Sequence, residues 1–263
     1  MAVPLAVVFL LPLWFLLVGS LRPLGLPPPT SVQWWPTSPA WSNFVEVFDV
    51  VPIGRYTVNS LIVAAVAVPL SVAVSSSTGF AIARLPRRPR VFLVWICVVV
   101  LMIPATSLLV GRVSVFRWLG LTDTLIPLMA PALLGMSPLF VLLFAWSFWR
   151  LPEDVFDLAK ELGLSPFATW WRVASPQVRP TAAAVGALAF LISWGNFLDP
   201  LIYVYDERWF TLPLGLRSLS TLNPPNQPLM LAGALLACAP VVVISATVQG
   251  RLVVGPPTSK ESR

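Results

Sequence analysis

The stretch Asp157–Pro180, DLAKELGLSPFATWWRVASPQVRP, decides how the rest of the chain is read. Together with Pro152, Glu153 and Asp154 it is the one long segment that mixes charged and apolar residues in an otherwise lipid-soluble sequence. Charges crowd its first half, and between them Val155, Phe156, Leu158, Ala159 and Leu162 recur at helical spacing, which predicts an amphipathic helix with one apolar face. Pro152 followed by two acids suits a first turn, where a missing N–H costs nothing and carboxylates meet the positive end of the helix dipole. Gly163 offers the left-handed residue that closes such a helix. Ser165-Pro166 then reads as the N-cap and first residue of a second short helix through Phe167, Trp170, Trp171 and Val173, ended by Pro176 and Pro180. The prediction is two short helices hinged at a glycine. A connector lying on a membrane surface is the plain alternative, but it needs neither the hinge nor a second helix carrying aromatics that are costly to leave in water.

Outward from this segment the sequence turns apolar. Hydrophobic residues make up 57% and charged residues 11%, with mean hydropathy +0.83, whereas soluble domains carry about 25% charged residues. Charge-free intervals long enough, or nearly so, for the ~20 residues of a membrane span underlie six predicted transmembrane helices at about 2–21, 57–83, 91–111, 125–149, 181–203 (charge-free over Thr181–Leu198) and 229–250. A seventh uncharged interval, Pro23–Val45, holds Pro27, Pro28, Pro29, Pro36 and Pro39 and reads as an extracytoplasmic loop, with Trp34, Trp35 and Trp41 at the membrane interface. The first interval lacks the basic lead of a secretory signal and is read as a retained span. Pro104 is expected to kink the third span, and Arg112–Asp123 to form a short outer loop.

The net charge of +6 would suggest nucleic acid in a soluble protein, but here the placement of arginine sets topology. Arg84, Arg87, Arg88 and Arg90 crowd one short loop, Arg150, Lys160, Arg172 and Arg179 surround the Asp157 segment, and Arg251, Lys260 and Arg263 follow the last span. Both termini and the 152–176 loop are therefore expected in the cytoplasm, and no nucleic-acid partner is expected. Cys97 and Cys238 fall inside spans and read as small apolar residues; without histidine, no metal site or other cofactor is expected.

The two-helix loop resembles the EAA loop of ABC-transporter membrane subunits, specifically the sugar-type, maltose-permease-like family. Asp157, Ala159, Gly163 and Pro176 fall on that motif's spacing without a gap. The leading Glu of the pattern is Asp157 here, its second Ala is Leu158, and its Asp-Gly-Ala is Leu162-Gly163-Leu164. Further matches run from about Trp41 to Arg251: Asn59-Ser60-Leu61, Ala83-Arg84-Leu85, Leu119-Gly120-Leu121, Trp194 with Phe197-Leu198 and Pro200-Leu201, Thr211 to Leu216, and Gln249. Gly195 and Asp199 depart from the family's usual residues. The resemblance implies an all-α integral membrane fold of the type I ABC importer permease kind, forming one transmembrane permease domain over 1–263. It also implies the partners: a second homologous permease subunit, two ATP-binding subunits and an extracytoplasmic solute-binding protein. In that reading Asp157, Ala159, Gly163, Phe167, Trp170, Trp171 and Pro176 couple the membrane domain to the ATPase, with Trp170 and its aromatic neighbours entering a cleft there and Asp157 meeting a basic residue.

No nucleophile–base pair or phosphate-binding glycine loop can be assembled, so no catalytic residue is assigned and ATP hydrolysis is expected in another chain. The span interiors lack Asp, Glu, Lys, Arg and His, which argues against a proton-coupled carrier. Candidate solute contacts are the polar or aromatic span residues Asn59, Ser137, Ser193, Trp194, Asn196 and Asp199, the alternative for each being a bond to a neighbouring helix, an anchor or a cap. The expectation is a carbohydrate importer subunit of the inner membrane, with a permease for glycerol phosphate, an amino acid or a peptide as the alternative within transport and an ion-coupled carrier outside it. Reporter fusions at Pro86 and Ser165 are expected to report cytoplasm and fusions near Pro39 and Asn223 the opposite side; an extracytoplasmic signal at Ser165 overturns the topology.

Overall fold

The computed structural model describes residues 2–26, 31–220 and 226–253. Pro27–Pro29, Asn223, Lys260 and Arg263 lie outside these, as do the side chains of Gln249 and Arg251. Every regular element among the described residues is helical. In chain order the first are α1 (Ala2–Ser20), α2 (Asn43–Val50), α3 (Ile53–Arg84), α4 (Arg87–Leu101), α5 (Leu109–Trp118), α6 (Ile126–Met129) and α7 (Pro138–Trp149). There follow α8 (Glu153–Glu161), α9 (Pro166–Ala168), a π-helical turn (Thr169–Ala174), α10 (Ser175–Gln177), α11 (Arg179–Trp194), α12 (Leu198–Tyr203), α13 (Leu212–Ser220) and α14 (Gln227–Val253).

Among the described residues, three stretches are long and apolar enough to cross a membrane: Ile53–Arg84, Ile126–Trp149 and Gln227–Thr247. Arg87–Leu101 and Ala105–Trp118 make a fourth if the pair, bent by 83°, counts as one, and Leu10–Ser20 and Arg179–Trp194 are shorter apolar helices. The 32 residues of α3 span ~48 Å at ~1.5 Å per residue, well beyond the ~30 Å of bilayer hydrocarbon.

Several expected boundaries move. The third span does not kink at Pro104; its helix stops at Leu101 and restarts at Ala105 in a new direction. Proline drives the residue before it out of the helical region and withholds its own N–H, so the break is complete. Arg112–Asp123 is not a loop throughout, because α5 carries the chain to Trp118. The fourth span is interrupted at Gly135 and Met136, both at positive φ, and Pro138 is the first residue of α7 rather than a kink within it. The fifth ends at Trp194 and resumes as α12. Pro176 does not end the second loop helix: helical backbone passes through it to Gln177, and Pro180 sits in the first turn of α11. Both prolines occupy first-turn positions, where the missing N–H is harmless.

The chain divides into two compact units. The first comprises residues 1–61 and 194–243. Here Asn43, buried at the head of α2, donates through Nδ2 to the carbonyls of Ser20 (2.7 Å) and Arg22 (2.8 Å), satisfying backbone left open where α1 ends. The start of α3 is fastened to the segment before α13: Asn59 Nδ2 donates to the carbonyls of Arg208 (2.8 Å) and Phe210 (2.9 Å), Leu212 N–H donates to Ser60 Oγ (2.8 Å), and the Tyr56 hydroxyl donates to Glu207. Gly215 is seated against the Tyr56 ring, where a Cβ would collide.

The second unit, residues 62–193 and 244–263, holds the loop. Its core is a column of aromatics: Phe140, Phe144 and Phe148, one turn apart on α7, meet Phe80 of α3, Phe156 of α8, Trp170 of the π turn and the small-residue face of α11 at Val185 and Ala189. Close approach of α3 and α7 depends on Gly79, where a Cβ would lie 2.6 Å from Phe144 Cβ and 2.7 Å from the Ala145 nitrogen. Gly111, on α5, has nothing within 4 Å. Alanine is the better helix former by roughly 0.5–1 kcal/mol, whereas overpacking a core costs typically ~1–3 kcal/mol. Gly79→Ala is therefore expected to lower the melting midpoint in detergent and Gly111→Ala to leave it unchanged or raise it; equal effects overturn the packing assignment.

Candidate coupling loop

The hinge at Gly163 is built by local backbone chemistry. Its φ is +68°, its N–H donates to the Lys160 carbonyl (2.9 Å) and the Leu164 N–H to the Ala159 carbonyl (3.0 Å). These paired bonds are the Schellman closure, which satisfies carbonyls that the end of α8 leaves open. Two residues on, Ser165 Oγ accepts from the Ala168 N–H (3.2 Å), capping the next helix, with Pro166 at its first position.

Side chains then pin the loop onto α3. Arg84, its last residue, pairs with Glu153 (2.9 Å) and lies over the Phe156 ring, 4.1 Å from its centroid. The apolar residues of α8 share one face, as expected, but only part of it is covered: Phe156 and Ala159 are buried, while Leu158 and the capping Leu162 are exposed. Trp170 is 8% exposed and donates through Nε1 to Ser76 Oγ (3.1 Å) on α3. It is therefore not available to enter a partner's cleft: the π turn directs it inward, and Phe167 (69%) and Trp171 (62%) are the aromatics that face out. A cleft of about 410 Å³ lies between α3 and the loop, lined by Phe80, Arg84, Phe156, Lys160, Phe167 and Trp170 among others.

Asp157 is exposed and pairs with Lys160 of its own helix (2.8 Å). That hydrogen bond, then the ammonium charge and more weakly Arg84, hold its carboxyl below the usual carboxylate range. Pro176 is partly exposed within the helical run that leaves the π turn. Arg84, Ser76 and Glu153 were not singled out as site residues by the sequence; the closest signals were the arginine at the mouth of the short loop and the Ser75-Ser76-Ser77 run within a span.

The solute-path candidates fall on both units, and most already hold structural partners. Asn59 bonds two carbonyls, Ser137 caps α7 by accepting from the Leu139 N–H (3.3 Å), and Trp194 Nε1 donates to the Ala237 carbonyl (3.0 Å). Asn196 Oδ1 accepts from the Asp199 N–H (3.2 Å) while its Nδ2 donates to the Asp199 carboxylate (3.0 Å), which caps α12. Ser193 differs: its hydroxyl is buried with no hydrogen-bond partner among the described residues.

With this geometry in place, known proteins supply a comparison. The chain is 30% identical over 223 residues to the arabinooligosaccharides transport system permease protein AraQ of Halalkalibacterium halodurans, covering 84% of this chain and 78% of that protein. It is 28% identical over 217 residues to the lactose transport system permease protein LacG of Rhizobium radiobacter, covering 82% and 78%. The crystal structure of a bacterial ABC transporter involved in the import of the acidic polysaccharide alginate contains a chain that superposes with TM-score 0.76 at 17% identity, over 95% of this chain and 94% of that one, so the two chains share a fold. Residues 72–253 match the family described as the binding-protein-dependent transport system inner membrane component, and the chain belongs to that family.

Proposed function

We propose that this chain is the permease subunit of an ATP-driven importer of a sugar or oligosaccharide, and that the 152–176 loop is where a separate ATPase docks. The observation that carries this reading is the loop itself: two helices closed at Gly163, tied to α3 through Arg84–Glu153 and Trp170–Ser76, presenting Leu158, Leu162, Phe167 and Trp171 outward. Exposed apolar side chains of this size on a polar loop mark an interaction surface. The similar permease proteins of arabinooligosaccharides and lactose transport systems support the solute class.

Six spans are supported by adding the bent pair and the two shorter apolar helices to the three long ones, and the placement of arginine supports both ends in the cytoplasm. The assembly is a single permease domain paired with a second homologous permease, two ATP-binding subunits and an extracytoplasmic binding protein. Coupling passes through Asp157, Ala159, Gly163, Phe167, Trp171 and Pro176, with Ala159 and Trp170 as the buried footing. Along the solute path, Ser193 is the foremost candidate because its hydroxyl is unclaimed. Ligand screening of the binding protein that delivers solute to the assembly tests the class; an amino acid or peptide as its ligand overturns it.

A side chain at Gly163 meets nothing within 4 Å, so its cost is the left-handed backbone alone, roughly 1–2 kcal/mol. Gly163→Val is expected to insert normally yet abolish uptake and weaken ATPase co-purification, whereas Gly163→Asn, which tolerates that backbone, keeps most of both. Normal uptake and normal ATPase binding by Gly163→Val show that the loop does not couple. Asp157→Lys is expected to act more mildly, with a loss of association that depends on salt because the site is exposed. Purified alone in liposomes, the chain is expected neither to hydrolyse ATP nor to accumulate solute under a proton gradient; proton-driven uptake moves the assignment to an ion-coupled carrier.

A further inference from the structure

The second unit carries another cleft, of about 630 Å³, between α4 and α7. Its walls are apolar and aromatic, including Val91, Val94, Trp95, Leu142 and Trp146, and its lining holds Arg87 and Arg90 but no acidic residue. Arg90 lies over the Trp149 ring, 4.9 Å from the centroid, and Arg150 lies over Trp146 at 4.6 Å. The start of α4 thus brings two guanidiniums into the lining of an oily groove, and Arg150, just past the end of α7, adds a third over the Trp146 wall. None of the three pairs with a carboxylate among the described residues. α4 has no buried residue, so the protein itself leaves this groove uncovered.

We infer that this cleft seats an anionic glycerophospholipid, with its phosphate among Arg87, Arg90 and Arg150 and an acyl chain along Val94, Trp95, Leu142 and Trp146. Charge complementarity selects the occupant. A guanidinium held over an indole ring by a cation–π contact keeps N–H donors for a phosphate, and arginine binds phosphate through two donors at once. A free phosphate would leave the apolar walls wet, and a helix of another protein would have to bring acids into a groove that offers only cations. Basic pockets between membrane helices are an established way of holding anionic headgroups. Indole rings at the mouth suit the headgroup boundary, where tryptophan concentrates. The inference rests on membrane insertion and on this cleft, not on the solute or on the ATPase loop.

The test uses the full chain in nanodiscs containing a photoactivatable-acyl phosphatidylglycerol or, separately, its phosphatidylcholine counterpart, with adducts mapped by mass spectrometry. The phosphatidylglycerol probe is expected to label 91–95 and 142–149 in preference to the phosphatidylcholine probe by on the order of 10-fold. Arg87→Gln with Arg90→Gln is expected to remove that preference, and Arg88→Gln, in the same first turn of α4 but outside the cleft lining, to keep it. Equal labelling by both probes means ordinary boundary lipid and overturns the proposal, as does a preference that survives the double substitution. If the doubly substituted chain fails to insert, the headgroup comparison on the unsubstituted chain decides. Labelling that appears only when other transporter subunits are absent assigns the cleft to a protein neighbour and overturns it as well.

Discussion

A peptide N–H or C=O that loses its helical partner inside hydrocarbon has no water to turn to, and each such loss costs several kcal/mol. In a multi-pass membrane protein this makes every interruption of a helix a problem to be solved locally, and the breaks here are solved one by one. Asn43 covers the carbonyls at the end of α1. Gly135 turns the chain through a left-handed backbone and Ser137 caps the helix that follows. Asn196 receives the N–H of Asp199 where α12 begins. Asn59 satisfies two carbonyls of the irregular segment before α13. Much of the polar chemistry within the apolar intervals is thus spent on keeping discontinuous helices discontinuous, which is why so few polar side chains remain for a solute.

The same economy shapes the loop. Arg84 is at once the last residue of a long helix, the ion partner of Glu153 and the cation over Phe156, so one side chain fixes both the height and the rotation of α8. Phe156 continues the aromatic column of α7 through Phe80, which meets Phe148 edge-on at 5.4 Å. A displacement of the loop is therefore delivered to α3 and α7 together. Packed interiors of this density shift between discrete arrangements and do not deform smoothly.

What the sequence disclosed and what it withheld follow from the range of the interactions involved. Gly163 and Ser165-Pro166 are legible because left-handed closure and N-capping are settled by a few neighbouring residues. The apolar intervals are legible because lipid selects on composition. α2, α13 and the end of α5 escape a reading based on charge-free runs, because they are short helices that mix charged and apolar residues. The inward turn of Trp170 was hidden because its partner, Ser76 of α3, lies 94 residues away in sequence. The Arg84–Glu153 pair joins residues 69 apart in sequence, and no local pattern announces it.

α4 has another consequence, for biogenesis. With no residue fully enclosed by the rest of the chain, it gains comparatively little from tertiary docking. Its passage into the bilayer must be decided largely by its own partition energy as it leaves the ribosome, before α7 exists to pack against it, in the manner of a first-stage inserting segment. The arginines at its head set its orientation during that step, and Val98–Leu101 supply an unbroken apolar finish before the break at Pro104. Polar substitutions on its exposed face would thus fall on the cell's insertion machinery and its quality control more than on the packing of the folded chain.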